Sequence, residues 1–328
     1  MPNAFASHRI VRTPDGHRLF VRTLGSPDGV PVLVLHGGPG SGASPALAQG
    51  FDLERVRLVL PDQRGAGRSR PRGSTRRNGL PQLVADLERI RAALGAAPWM
   101  VVGGSWGAAL ALAYAAYCPH AVRALVLRGT FTATRSALRQ FFSPRRRVKS
   151  RSVPTTCVFG DISVSRVLHR WTRVFRSGTP GATVPRLRAW QARERALLGL
   201  PPVPARAVHR LAPLRHKYRI QTHLLARYGG FGPRGVKALL PRLRRWQGPA
   251  IAVHGRADRV CPPAGLRRLQ ADWPALSVRW VAAGHRADEP AMREALRGAI
   301  EAAIAAGAVQ GACHSSLLAC GESNGILR

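Results

Sequence analysis

Three residues far apart in the chain have the types that nucleophilic hydrolysis needs: Ser105, Asp258 and His285. A serine hydroxyl is a weak nucleophile until a base takes its proton, and the base needs an acid to hold its tautomer. Ser105 lies in Val101-Val102-Gly103-Gly104-Ser105-Trp106-Gly107-Ala108, an apolar strand that enters Gly-x-Ser-x-Gly and then a helix-forming stretch. The chemistry requires that order. A sharp turn lifts the hydroxyl above a sheet, and glycines two positions away on either side let strand and helix approach. The helix N-terminus aims free N–H groups at developing negative charge.

Asp258 follows the apolar run Ala250–Val253, and His285 follows the strand-like Val278-Arg279-Trp280-Val281. Both then fall on loops at strand C-termini, where open α/β sheets place their sites. Singly, the one is an ordinary turn former and the other an ordinary surface histidine; in the order Ser, Asp, His on such loops they read as a triad. His36-Gly37-Gly38-Pro39-Gly40 closes another apolar strand. With the N–H of Trp106, the N–H of Gly37 or Gly38 is the candidate oxyanion hole. Asp62–Ser69, a tight charged loop punctuated by glycines, reads as structural support beside the site.

The elements that must position these residues follow from hydrophobic periodicity. Residues 8–13 and 17–24 alternate around Pro14-Asp15-Gly16 as a β-hairpin, and 31–35, 56–60, 99–102, 124–127 and 250–253 are short buried strands. Helical stretches cover 80–95, 106–117 and 288–306. Strands alternating with helices predict an α/β architecture, a mostly parallel, doubly wound sheet. The alternation lapses over 135–245, expected to be an inserted, largely helical cap. The core then comprises 1–134 and 246–306, and 307–328 reads as a frayed tail.

The 328 residues carry a net charge of +35 from 51 basic and 16 acidic side chains. Only Lys149, Lys217 and Lys237 are lysines. From Arg135 to Arg245 there are 26 basic residues and two acids, Asp161 and Glu194. Such a segment attracts polyanions non-specifically, yet it has neither a recognition motif nor basic–aromatic interleaving, so no specific nucleic-acid partner is expected. No run reaches the ~18–20 apolar residues of a membrane span, and Met1–Arg9 lack the apolar stretch of a secretory signal. The five cysteines are scattered without a C-x-x-C pair, which suits free thiols in the cytoplasm and implies neither a metal nor a cofactor.

The segments His36–Gly40, Asp62–Ser69, Gly103–Gly107, Leu127-Arg128-Gly129, His254–Pro262 and Gly284-His285 with Asp288-Glu289-Pro290 resemble the prolyl iminopeptidases of the α/β-hydrolase superfamily. The likeness spans roughly 5–142 and 185–305. It implies the α/β-hydrolase fold with a helical cap, and release of N-terminal proline from peptides without a metal. Ser105 would be the nucleophile, His285 the base and Asp258 its orienting acid. Trp190-Gln191-Ala192-Arg193-Glu194 is similar to the family's Trp-x-x-Trp-Glu, which makes Glu194 an anchor for the substrate amine; a surface Glu paired with a neighbouring Arg is the competing reading. Gln221 stands where the family often carries Glu, and Arg135 is a third candidate substrate contact. Arg286 replaces a small residue after the histidine. Cys261, three residues beyond Asp258, is placed to disturb the acid's loop if modified, and is not expected to act as a nucleophile.

The stretch 143–184 shows no likeness to the family's aromatic-rich start of the cap. Abrupt loss and recovery of resemblance is what a local shift of reading frame, or a disordered segment, would produce. Three functional readings stay open: a proline-releasing serine aminopeptidase, an esterase or amidase with the same triad, and a catalytically impaired protein or polyanion binder. Haloalkane dehalogenases and epoxide hydrolases share the fold but use a carboxylate nucleophile, which Ser105 argues against.

Overall fold

A computed structural model describes residues 6–142, 164–203 and 211–320. Its centre is an eight-stranded sheet: β1 Ala6–Arg12, β2 Arg18–Gly25, β3 Val30–Leu35, β4 Val56–Pro61, β5 Trp99–Gly104, β6 Val122–Arg128, β7 Ala250–Gly255 and β8 Leu276–Val281. The strand order is β1-β2-β4-β3-β5-β6-β7-β8. β1 and β2 pair antiparallel, β2 meets β4 antiparallel, and every later pairing is parallel.

The helices are α1 Leu80–Ala93, α2 Trp106–Tyr117, α3 Arg135–Phe142, α4 Val164–Ser177, α5 Pro180–Leu197, α6 Leu211–Leu225, α7 Leu240–Leu243, α8 Pro263–Asp272 and α9 Pro290–Cys320. Strand side chains alternate between the two faces, so β3 sends Leu33 and Leu35 into one core with α1, α2 and α8, and Val32 and Val34 into another with α9. The helix α2 is buried from Trp106 to Ala116. Alanine-rich and apolar on every side, it fits against the sheet because small side chains let the backbones approach closely.

Between β6 and β7 the described residues are largely helical and build a third cluster. Trp171, Phe175, Trp190 and Tyr218 pack there with Leu138, Phe142 and Leu168. The ring centroids of Trp190 lie 5.5 Å from Trp171, 5.4 Å from Tyr218 and 5.2 Å from Phe142. Of the stretch expected to be frame-shifted or disordered, 143–163 lie outside the described residues. Residues 164–177 form α4, which drives three apolar side chains, Leu168, Trp171 and Phe175, into this cluster. Their spacing of three and four residues carries one helical face between arginines. The tail differs from expectation as well, since α9 continues through 307–320 rather than ending near 306.

Candidate active site

The turn between β5 and α2 holds Ser105 at φ 57° and ψ −118°, a region side chains rarely occupy. Close backbone contacts enforce it. A methyl group on Gly103 would sit 2.4 Å from the Gly107 carbonyl oxygen, and one on Gly107 would sit 2.2 Å from that of Leu35. The Ser105 N–H donates to the Arg128 carbonyl at 2.8 Å, tying the elbow to β6. Cys261 lines the same cavity as Ser105, and burial pushes its thiol well above its ordinary pKa.

Asp258 and His285 meet after β7 and β8. The His285 Nδ1–H donates to Asp258 Oδ2 at 2.7 Å, and the backbone N–H groups of Val260 and Cys261 donate to Oδ1 at 2.9 and 2.8 Å. Asp258 is 3 % exposed and His285 8 %. Burial alone raises the carboxyl pKa, but the His285 hydrogen bond and charge outweigh it and hold Asp258 below its ordinary value. With Nδ1 committed as donor, Nε2 of neutral His285 is the free base. Glu289 grips the backbone on both sides of the histidine, accepting from Gly284 N at 2.7 Å and Arg286 N at 3.0 Å. The Arg286 side chain turns outward onto Asp288.

The glycine loop after β3 is braced by the charged loop after β4. His36 Nε2 accepts from Gln63 N at 3.1 Å, Gln63 Nε2 donates to the His36 carbonyl at 3.0 Å, and Gln63 Oε1 accepts from the Trp106 indole at 3.0 Å. One glutamine side chain thus spans both sides of the candidate oxyanion hole. Gly38 adopts φ +41°, and a methyl group on Gly37 would lie 2.9 Å from the Gly104 carbonyl oxygen.

Ser105, Trp106, Gly37, Gly38 and His285 open onto one cavity of about 210 Å³. Glu194 and Gln221 line its far wall, so the structure brings both into the site. Glu194 is not a surface residue paired with an arginine. Its carboxylate accepts from Lys217 Nζ at 2.7 Å, Tyr218 Oη at 2.8 Å, Gln221 Nε2 at 3.0 Å and Trp190 Nε1 at 3.2 Å. Arg135 is exposed at the first turn of α3, which turns Leu138 inward, and is not among the cavity's lining residues.

Sequence reading missed Arg128 and Lys217 as parts of this wall. Arg128, at the C-terminal end of β6, donates to the His285 carbonyl at 2.6 Å, and burial pulls its pKa below the usual arginine value. Its position beside the elbow strand was a usable signal. For Lys217 there was none, since its partner lies 23 residues away on another helix.

A family model described as the alpha/beta hydrolase fold matches residues 30–287. Fold and site together define an α/β hydrolase. Among solved structures, an esterase from Exiguobacterium antarcticum superposes with TM-score 0.59 at 17 % identity, covering 90 % of this chain and 99 % of that one. A haloalkane dehalogenase variant from Bradyrhizobium elkanii gives 0.60 at 22 %, covering 93 % and 99 %. At such identities these establish the fold alone. A proline iminopeptidase of Xylella fastidiosa is 36 % identical over 291 residues, 86 % of this chain and 92 % of the relative. One from Neisseria meningitidis serogroup B is 34 % identical over 285 residues, 85 % and 90 % of the two chains. The chain belongs to the proline iminopeptidase family.

Among the described residues no helix is long and apolar enough to cross a membrane. Cys118 and Cys261 are free thiols.

Proposed function

We propose that this protein is a serine aminopeptidase that releases N-terminal proline from peptides, with residues 135–245 acting as a cap over the cavity. The observation that carries the reading is His285, which lines the same cavity as Ser105 and is held from behind by buried Asp258 at 2.7 Å, in a chain whose relatives are proline iminopeptidases. His285 Nε2 takes the proton of the Ser105 hydroxyl as Oγ attacks the prolyl carbonyl. The N–H groups of Trp106 and of Gly37 or Gly38 hold the oxyanion. Collapse breaks the C–N bond, and the imidazolium gives its proton to the leaving amine. Water, deprotonated by His285, then hydrolyses the prolyl ester and restores Ser105. Free, dispersed thiols suit work in the cytoplasm.

A fluorophosphonate probe compared between wild type and Ser105→Ala tests the nucleophile, and prolyl-β-naphthylamide against p-nitrophenyl acetate tests the acyl group. Labelling lost in Ser105→Ala together with prolyl-naphthylamide turnover is expected. Ester hydrolysis without prolyl turnover would replace the aminopeptidase reading with an esterase.

A further inference from the structure

We propose that Lys217 is an internal occupant of the substrate-amine subsite, so that a substrate's N-terminal amine reaches Glu194 only by displacing the Lys217 ammonium group. The inference rests on the aminopeptidase reading and names what sets its specificity.

Glu194 is the single acid among the described residues lining the cavity, which also presents Lys217 and Arg128. A carboxylate offers about four lone-pair positions, and here four donors from the chain engage them. Three of those donors, on Trp190, Tyr218 and Gln221, belong to buried side chains. Lys217 is the exception: its side chain is 22 % exposed, against 16 % for Glu194. Its stem lies beside the glycine loop: a methyl group on Gly38 would come within 3.7 Å of Lys217 Cε. The side chain thus touches that loop with its stem and Glu194 with its ammonium group. An α-amine, one carbon from a carbonyl seated at the loop, has to reach Glu194 across the strip Lys217 fills.

Beside it, Gln221 Oε1 is buried with no hydrogen-bond partner, although the residue is only 5 % exposed and lines the cavity. A buried acceptor without a partner, on a residue that lines the cavity, is satisfied when a ligand donor moves in beside it. Prolyl ammonium carries two N–H groups. One replaces Lys217 on Glu194 Oε2, and the other fills Gln221 Oε1. With Lys217 in place the Glu194 charge is already neutralised, and a second cation meets no net attraction.

Isothermal titration of L-prolinamide and of cyclopentanecarboxamide, the same ring without its amine, tests this in a Ser105→Ala background, where no turnover is needed. The ratio of the two dissociation constants reads the amine alone. Lys217→Met and Lys217→Gln are expected to shift that ratio about tenfold in favour of prolinamide, the scale of one charge-assisted hydrogen bond. Lys217→Arg keeps the wild-type ratio, and adding Glu194→Gln to Lys217→Met cancels the gain. A ratio unchanged or lowered in folded Lys217→Met and Lys217→Gln overturns the proposal. Because binding is read without catalysis, that result is distinct from a failure of wild type to cleave prolyl-naphthylamide, which would remove the aminopeptidase reading instead.

Discussion

Asp258 is held at both oxygens: Oδ2 receives His285 Nδ1–H at 2.7 Å while Oδ1 receives two backbone N–H groups of its own loop. The carboxylate is thus placed before it orients the ring. In Asp258→Asn the loop contacts persist, but the amide no longer stabilises imidazolium or enforces the tautomer with a free Nε2. A fall in kcat of about 10³–10⁴ with little change in KM is expected from steady-state kinetics. Retention of more than a tenth of wild-type kcat would remove Asp258 from the triad.

Gly129 is a positioning residue that the chemistry alone does not reveal. It sits at φ +53°, and an added methyl would lie 3.0 Å from both Cε1 and Nδ1 of His285 and 3.3 Å from Asp258 Oδ2. Gly129→Ala is expected to displace the imidazole and cost about 10² in kcat. Fluorophosphonate labelling should slow in parallel, with the circular dichroism spectrum unchanged. Equal labelling rates in the two proteins would show that the ring tolerates the methyl.

Arg64 is 3 % exposed and bridges Asp86 and Asp15, themselves 5 % and 8 % exposed. Its Nη2 donates to Asp86 Oδ1 at 2.8 Å, and its Nη1 also reaches the Arg77 carbonyl at 3.0 Å. Arg64→Met strands two carboxylates away from water, so a loss of about 3–5 kcal/mol is expected in urea unfolding. Arg64→Lys should recover little, because one ammonium group cannot reproduce the guanidinium fork. A loss below about 1 kcal/mol would place the pair in the range of surface ion pairs.

Acid sensitivity follows from buried histidines. Burial lowers the pKa of His36 and His254 below the ordinary 6.5. For His223, burial and then the Arg227 charge bring it to about 4. A depressed folded value means that the unfolded chain binds the proton first. Stability is therefore full above pH 6.5 and falls as pH drops through the folded values. Urea midpoints measured between about pH 7.5 and pH 4.5 should decline steadily, and His223→Gln should flatten the lower part of that profile. A midpoint constant across the range would contradict neutral burial of these rings.

The meeting of Ser105, Asp258 and His285 at one edge of the sheet was legible because each sits where a local pattern ends. An apolar strand and glycines mark Ser105, and apolar strands precede Asp258 and His285. Such signals lie within a few residues of the group they announce, and the parallel sheet then gathers its strand ends at one edge. The structural role assigned to Asp62–Ser69 was legible too, and Gln63 gives it content by bracing His36 and Trp106. That Arg135 faces solvent was not legible, because residue type near a site says nothing of which helix face it occupies.

By itself, then, the sequence determined the α/β sheet, the turn at Ser105 and the placing of Asp258 and His285 after strands, since these depend on periodicity and short turns. The tertiary structure alone decided what surrounds the acyl group. Lys217 meets Glu194 only when α6 packs against α5, and Trp171 joins Trp190 only when α4 closes the same cluster. These pairings join residues about 20 apart through the packing of separate helices, and no local pattern encodes which cation will fill a given carboxylate.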